Sequence, residues 1–206
     1  MAFAGNLAAH DARHLGRDLR PRSGDQPCLS RPSSLCCDAY RLAASGLGRG
    51  VPMTNVDERA HEAERAEQYR ALVEYGLTAG IGVGHSLGIT LEAIGAGRAV
   101  WTMQPSTRAA DAHYSVAGGV LATLMEAAMA SAVHAALPPR TTYTAAGLSI
   151  ALVGKLRVDD PEVCCEAHVV HCGSRTATAD ARVMTADGRL VAHGGASFLV
   201  FPVPQG

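Results

Sequence analysis

The 206-residue sequence lacks both a strong net charge and a long uninterrupted apolar segment. Its formal net charge is −1, so no global field recruits nucleic acid or an anionic membrane surface. Ser, Thr, Glu, Gly or His interrupts every apolar run before the roughly 18 to 20 residues that cross a bilayer. These absences predict a soluble protein without a nucleic-acid or membrane partner. With 48% hydrophobic residues, the chain can bury the core of one ordinary domain.

The sequence also lacks the cysteine spacing of a metal or redox site. Its six cysteines include the adjacent pairs Cys36/Cys37 and Cys164/Cys165 but no C-x-x-C, the spacing typical of zinc and dithiol sites. On a strand, Cys164 and Cys165 would point to opposite faces as small hydrophobic side chains. We therefore expect no metal and no cofactor. Free thiols favour a reducing, cytoplasmic setting.

The first 52 residues differ in composition from the rest. They are rich in Arg, Pro, Ser and Gly and show no sustained period of 3.6 or 2, which predicts a largely disordered segment. Four aspartates within them argue against an acid-poor targeting peptide. Alternatively, Met53 is the natural start and residues 1–52 are a mis-called extension. Both interpretations place the folded domain in residues 53–206.

Helical and strand-like segments follow one another along residues 53–206. Helix propensity predicts a surface helix from Val56 to about Tyr75, whose charges form a solvated face. The glycine-rich stretch 76–88 lacks the Lys and Ser/Thr of a phosphate-binding loop, which predicts a flexible connection. An apolar helix is predicted over 120–134. Candidate strands, bounded by turn residues, span 87–94, 98–105, 142–153, 163–171, 175–185 and 189–201.

The alternation of side chains in the fifth candidate strand indicates a sheet that is wet on one face. Thr176, Thr178, Asp180 and Arg182 fall on one side, and small apolar residues fall on the other. The order of one helix, two strands, one apolar helix and four strands predicts an α+β fold. In this fold an antiparallel sheet wraps around one central apolar helix.

The predicted central helix contains a single carboxylate. Between Gly119 and His134, Glu126 is the one ionisable side chain, and the apolar residues surround the axis as in a helix buried on most sides. A carboxylate removed from water costs several kcal/mol unless it is paired or protonated. Glu126 is therefore either a rim-exposed or salt-bridged residue, or a functional group.

The segment GGVLATLMEAAMASAVHAALP, residues 118–138, resembles the signature of the hotdog-fold acyl-CoA thioesterases of the phenylacetate-degradation type. SLGITLEAIGAGRAVWTMQP resembles that family's opening hairpin, and EAHVVHCGSRTATADARVMTADGRLVAHGGASFLVF resembles its last three strands. The similarity covers about residues 86–201. It implies the hotdog fold and a homodimer or homotetramer. The implied reaction is the hydrolysis of a small or aromatic acyl-CoA to free acid and coenzyme A.

By this resemblance, Glu126 matches the family's catalytic carboxylate, as nucleophile or general base. The pair Gly118–Gly119 matches the glycines whose first backbone N–H polarises the thioester carbonyl. Amides at a helix N-terminus suit developing negative charge. Gly118 and Glu126 lie eight positions apart, about 12 Å along a helix, too far for both to reach one carbonyl. We therefore predict a site completed across a two-fold axis, with Gly118 from one protomer and Glu126 from the other.

The loop before the glycine pair departs from the family pattern. Ala117 stands where the family usually has His, and Asp111 stands where Asn or Gln is common and is a candidate substrate-binding residue. The loop also looks short. Its residues His113, Tyr114 and Ser115 are further candidates for substrate contact, with plain surface residues as the alternative.

Other candidates lie farther along the chain. The resemblance places a water-holding hydroxyl near Thr144 or Ala145, with an ordinary strand threonine as the alternative. The Gly173–Ser174–Arg175 turn resembles the segment that meets the coenzyme A phosphates, since an Arg with turn amides binds phosphate. Arg157, assisted by Lys155, is a further candidate for this role.

Two alternatives to an acyl-CoA thioesterase remain. A non-catalytic acyl-CoA-binding module of the same fold is suggested by Ala117 and by the short loop, because fold does not fix function. A hotdog hydratase is less favoured, because the sequence lacks an Asp/His pair in the spacing of those enzymes.

Overall fold

The computed structural model describes residues 56–95 and 97–203, which all belong to one compact unit. The predictions made for residues 1–52 lie outside the described residues. Three α-helices are described, α1 (Val56–Thr78), α2 (Gly82–Leu87) and α3 (Gly118–Ala136). The strands are β1 (Ile89–Gly95), β2 (Arg98–Met103), β3 (Thr141–Leu152), β4 (Val163–Cys172), β5 (Thr176–Thr185) and β6 (Leu190–Pro202).

The six strands form one antiparallel sheet in the order β1-β2-β4-β5-β6-β3. β3 follows α3 in sequence but crosses to the far side of the sheet, where it pairs along its whole length with β6. The close approach of these two strands requires Gly194, because a Cβ there would lie 2.1 Å from the Ser149 carbonyl oxygen. β1 and β3 are therefore the two edges of the sheet.

The concave face of the sheet packs on α3, and the core lies between them. Leu124, Met125, Met129 and Val133 of α3 are fully buried against apolar side chains of the inner strands. β5 alternates as the sequence predicted, with its alanines and Val183 buried and Thr176, Asp180 and Arg182 exposed. The predicted α+β fold, a sheet wrapped around one apolar helix, is confirmed.

The first helix differs from its prediction as a solvated surface helix. α1 packs against α3 and β1 and buries a stripe at helical spacing that includes Glu62 and Ala66, while Tyr69 and Val73 pack against the core. Arg65 on the same stripe bonds to the C-terminal end of α3. This stripe was not recognised in the sequence because its residues alternate with exposed Glu and Arg.

Two further expectations are corrected. Residues 82–87, expected within a flexible connection, form the short helix α2, which ends at Gly88 in the left-handed conformation (φ 67°) that glycine adopts without strain. The sequence predicted that no segment is long and apolar enough to cross a membrane. By length and composition alone, α3 does meet that criterion. Half of that window is buried inside the domain, and a core helix meets the same criterion.

Candidate functional site

The N-terminus of α3 presents backbone amides beside a tightly packed glycine. Ala117, in extended conformation, caps the helix without a side-chain hydrogen bond, and its carbonyl accepts from Val120 N at 2.9 Å and Leu121 N at 3.3 Å. The amides of Gly118 and Gly119 precede these first helical donors and are left for another acceptor. A Cβ at Gly118 would lie 2.5 Å from Leu152 Cδ1. The glycine pair therefore combines available donors with close packing against β3.

Glu126 lies on an open face of α3. Its side chain is exposed in the single chain, in agreement with the rim-exposed alternative. None of the ion pairs recorded in the described part of the chain involves Glu126, which leaves the salt-bridged alternative without support there. Gly119, Thr123 and Glu126 are spaced at i, i+4 and i+7 and share one face. The sheet covers the other side of the helix.

The C-terminal half of this face is closed by α1. Arg65 Nε donates to the His134 carbonyl at 2.9 Å, and the Tyr69 ring lies 5.0 Å from the His134 ring. His134 in turn meets Tyr143 of β3 edge to face at 6.0 Å. Burial, together with the charge of Arg65, lowers the pKa of His134 to about 4. This imidazole is therefore neutral at physiological pH and serves packing.

The phenols of this cluster lie within electrostatic reach of Glu126. Burial and then the charge of Glu126 raise the pKa of Tyr69. Burial raises the pKa of Tyr143 further, with Tyr69 and Glu126 as the next causes. Both phenols therefore remain protonated at physiological pH. The sequence interpretation missed them; the spacing of Ala66, Tyr69 and Val73 at i, i+3 and i+7 was the available signal.

The loop before α3 is organised by Asp111. Its Oδ1 accepts backbone hydrogen bonds from His113 N at 2.8 Å and Ser115 N at 2.9 Å. These bonds, that from Ser115 first, lower the pKa of the Asp111 carboxyl. Tyr114 between them has φ 56°, an uncommon conformation for a non-glycine residue. The Asp111 carboxylate is thus occupied by its own loop.

Arg157 lies beside this loop. A bridge pairs Arg157 with Ser115, while Arg157 Nε donates to Asp159 Oδ1 at 2.9 Å. That contact raises the pKa of Arg157. Both partners are exposed, so solvent screens the pair and a phosphate can compete for the guanidinium. Lys155 is exposed nearby, and its backbone carbonyl accepts from Arg189 Nη1.

The remaining candidates lie near the other end of α3. Cys172 Sγ donates to the Ala136 carbonyl, so the exposed Ser174–Arg175 turn follows a residue bonded to the C-terminus of α3, which lies about 27 Å from Gly118 along the helix at 1.5 Å per residue. Thr144 pairs with Leu199, whose neighbours Phe198 and Val200 are buried. By strand alternation the Thr144 hydroxyl therefore points away from α3.

The structure thus sorts the predicted residues into three places. Asp111, Gly118, Gly119 and Arg157 meet at the N-terminus of α3, and Glu126 lies two turns along the helix. Thr144, Ser174 and Arg175 lie near its C-terminal end. In the described residues no group of three or more His, Cys, Asp or Glu side chains could hold a metal ion.

Comparisons with known proteins agree with this architecture. A model described as "Thioesterase superfamily" matches residues 114–192, which include the glycine pair and Glu126. The PaaI protein from the phenylacetic acid degradation operon of Escherichia coli is 23% identical, with a TM-score of 0.58 over 68% of this chain and 98% of that chain. A thioesterase from Haemophilus influenzae is 18% identical, with a TM-score of 0.59 over 68% and 92%.

A third structure adds a ligand. A hypothetical thioesterase of Streptococcus pneumoniae, solved with coenzyme A, is 19% identical, with a TM-score of 0.53 over 59% of this chain and 92% of that chain. The curated proteins contain no match to the chain. The resemblance to the hotdog-fold thioesterases is therefore confirmed: the domain has their fold, and residues 114–192 match the thioesterase superfamily.

Proposed function

We propose that the protein is an acyl-CoA thioesterase that hydrolyses a small or aromatic acyl-CoA to free acid and coenzyme A. The observation that carries this proposal is Glu126, a carboxylate on the open face of an otherwise apolar helix that begins with two available amides. The match of this segment to the thioesterase superfamily supports the same chemistry. The thiols of Cys165 and Cys172, which form no disulfide, suit a cytoplasmic location.

The active site is proposed to lie between two protomers. Within one chain, Gly118 and Glu126 are about 12 Å apart along α3, so a second copy must supply one of them. The face of the edge strand β3 that looks toward α3 exposes Leu148 (44%) and Leu152 (55%). Two antiparallel β3 edges can pair around a two-fold axis. Pairing of this kind would cover these leucines in a homodimer, on which a homotetramer can be built.

The chemistry follows from the properties of these groups. The thioester carbonyl oxygen accepts a hydrogen bond from the Gly118 amide, which stabilises the negative charge that develops during attack. Glu126 of the partner protomer either removes a proton from water or attacks the carbonyl carbon itself. In both routes a carbon–oxygen bond forms, the carbon–sulfur bond breaks and coenzyme A leaves as a thiolate. Where Glu126 itself attacks, water then cleaves the resulting anhydride. In either case the thiolate takes up a proton that comes from this water. The net reaction consumes one water and releases the acid and the thiol.

The phosphates of coenzyme A are proposed to bind exposed cations. Arg157 lies beside the helix N-terminus, and the Ser174–Arg175 turn lies near the other end of the same chain. Across a two-fold interface, the turn of one protomer can approach the helix N-terminus of the other. Asp111 shapes the loop that presents the amides. Thr144 is not assigned to the water-holding role in this arrangement, because its hydroxyl faces away from α3.

The test is the release of free thiol from a panel of acyl-CoAs. The Glu126→Gln variant keeps size and polarity but cannot act as a base, so we expect kcat to fall by about 10²- to 10⁴-fold. Glu74→Gln on the exposed face of α1 is the matched control and should retain wild-type turnover. Equal slow release by wild type and Glu126→Gln would reject the proposal.

That outcome would favour the second candidate, a non-catalytic acyl-CoA-binding module. Two observations support it: Ala117 offers no side-chain hydrogen bond at the helix N-terminus, and Asp111 is engaged by its own loop. Calorimetric binding of a non-hydrolysable acyl-CoA thioether, unaffected by Glu126→Gln, would identify such a module.

A further inference from the structure

Ser115 carries a buried hydroxyl that has no hydrogen-bond partner among the described residues. The residue is 7% exposed, and within the described part of the chain its Oγ has no hydrogen-bond partner. A buried hydroxyl without a partner destabilises the native state. Such groups are rare and call for a specific explanation, of which a missing ligand is one.

The other buried serine of the domain shows what full satisfaction looks like. Ser131, which is 0% exposed, accepts a hydrogen bond from Trp101 Nε1 at 2.8 Å and donates to the Ala127 carbonyl at 2.8 Å. Its hydroxyl joins β2 to α3 and is structural. Ser115 makes no comparable contact, so its hydroxyl does not hold the fold together.

The backbone around Ser115 is nevertheless held firmly. Its N–H donates to Asp111 Oδ1 at 2.9 Å and its carbonyl accepts from Asp111 N at 2.7 Å. A bridge pairs it with Arg157, and the next amide, of Val116, donates to the Leu156 carbonyl at 2.8 Å. Only the side-chain torsion is left to vary, and rotation among its staggered positions moves the hydroxyl without disturbing the loop.

The direction of this side chain follows from the extended backbone. Val116 belongs to the core, so Ser115 and Ala117 on either side of it share the opposite face. Ala117 is the N-cap of α3, and the next donor is the Gly118 amide. The Cα atoms of Ser115 and Ala117 are about 7 Å apart at 3.3 Å per residue. An oxygen atom that accepts from both groups must lie about 3 Å from each, so rotation of the Ser115 side chain has to bring its hydroxyl out of its enclosed position to within about 6 Å of the Gly118 nitrogen.

We propose that the Ser115 hydroxyl is a second hydrogen-bond donor to the thioester oxygen, beside the Gly118 amide. Ser115 is thereby a catalytic residue, and substrate is the partner that its hydroxyl lacks. The inference rests on the proposed thioesterase function and deepens it. The hydroxyl donates without losing its proton, so the overall reaction is unchanged.

The experiment measures turnover and stability of Ser115→Ala together. Loss of one preorganised donor should lower kcat by about 100-fold, with KM changed less than kcat. The melting temperature should stay equal or rise, because an unsatisfied buried hydroxyl has been removed. Ser115→Cys, of similar volume but with a weak donor, should give an intermediate kcat, and Ser115→Thr, which keeps the hydroxyl, should recover most of it.

Ser131→Ala is the matched control at a buried serine. It leaves the Trp101 N–H unpaired, so its melting temperature should fall while kcat per folded molecule is retained. Wild-type kcat in Ser115→Ala, or a fall of its kcat accompanied by a lower melting temperature, would overturn the role of Ser115 alone. Absence of turnover by the wild-type protein on every acyl-CoA would instead reject the thioesterase proposal itself.

Discussion

The two halves of α3 have nearly the same composition but different surroundings. The open half, residues 118–126, begins with uncapped amides and ends at the exposed Glu126. The closed half, residues 127–136, is covered by α1, with Arg65 on the His134 carbonyl and the Tyr69 ring against the His134 ring. Alanine and long apolar residues fill both halves. The difference therefore arises from what packs on the helix, which makes one half structural and leaves the other available for chemistry.

The largest effect is expected when the proposed second protomer can no longer bind beside the open half. Leu148→Glu places a charge on the exposed edge strand beside the open half, where a second protomer is proposed to pair. We expect a monomer whose turnover falls by about 100-fold or more, because Gly118 and Glu126 no longer meet. Sedimentation equilibrium and thiol release at one protein concentration would measure both effects.

Leu72→Glu on the exposed face of α1 is the control for the added charge. It should change neither the assembly state nor the turnover. A Leu148→Glu protein that remains dimeric and active would contradict a site shared across the β3 edge.

A smaller effect is expected when the closed half is opened. Arg65→Ala removes the 2.9 Å bond to the His134 carbonyl and the 3.4 Å bond to the Thr141 carbonyl. We expect a loss of about 1–2 kcal/mol in the free energy of unfolding, since these are partly exposed bonds from a charged donor. Urea denaturation would measure it. Arg70→Ala, whose 4.0 Å pair with Glu67 is at the surface, should change stability little, and equal losses in the two variants would contradict a closing role for Arg65.

The last effect is absent at neutral pH: it is a pH dependence that arises in the closed half. The pKa of His134 is lowered from 6.5 to about 4 in the folded protein, so between these values the unfolded state binds the extra proton. The free energy of unfolding should therefore fall as pH drops from about 6.5 to 4. Above pH 6.5 the contribution of His134 should not change with pH. Denaturation midpoints at several pH values would show the slope.

His134→Gln should flatten this part of the profile, while His168→Gln on the exposed outer face should not. The carboxyl of Asp111 acts in a different window. Its pKa is lowered from 3.8. Its contribution to the free energy of unfolding is therefore present above pH 3.8 and is lost only as the pH falls below that value. A slope between pH 6.5 and 4 that survives His134→Gln would place its origin elsewhere.

Much of the fold could be predicted from local patterns. The alternation of Thr176 to Val183 identified the faces of β5, and turn residues separated the strands to within a few positions. The apolar run around Glu126 identified the central helix. These elements were predictable because each side-chain period depends only on neighbouring backbone geometry.

The candidate site could be predicted only in part. Gly118, Glu126 and Asp111 were recognised as candidates, but whether Glu126 is buried or exposed stayed open, because exposure depends on which elements cover a helix face. The roles of Arg65 and Tyr69 were missed for the same reason. Their stripe on α1 makes sense only once α1 lies on α3, a contact between residues some 70 positions apart.

By itself, the sequence determined an apolar helix that contains one carboxylate and follows a glycine pair. It also determined the surrounding strands and which of their faces are buried. Periodicity is a local property, so it survives without any knowledge of the fold. Only the tertiary structure decided that β3 crosses to the sheet edge, that α1 closes half of the helix, and that the Ser115 hydroxyl is buried without a partner. Each of these is set by long-range packing, which no local pattern specifies.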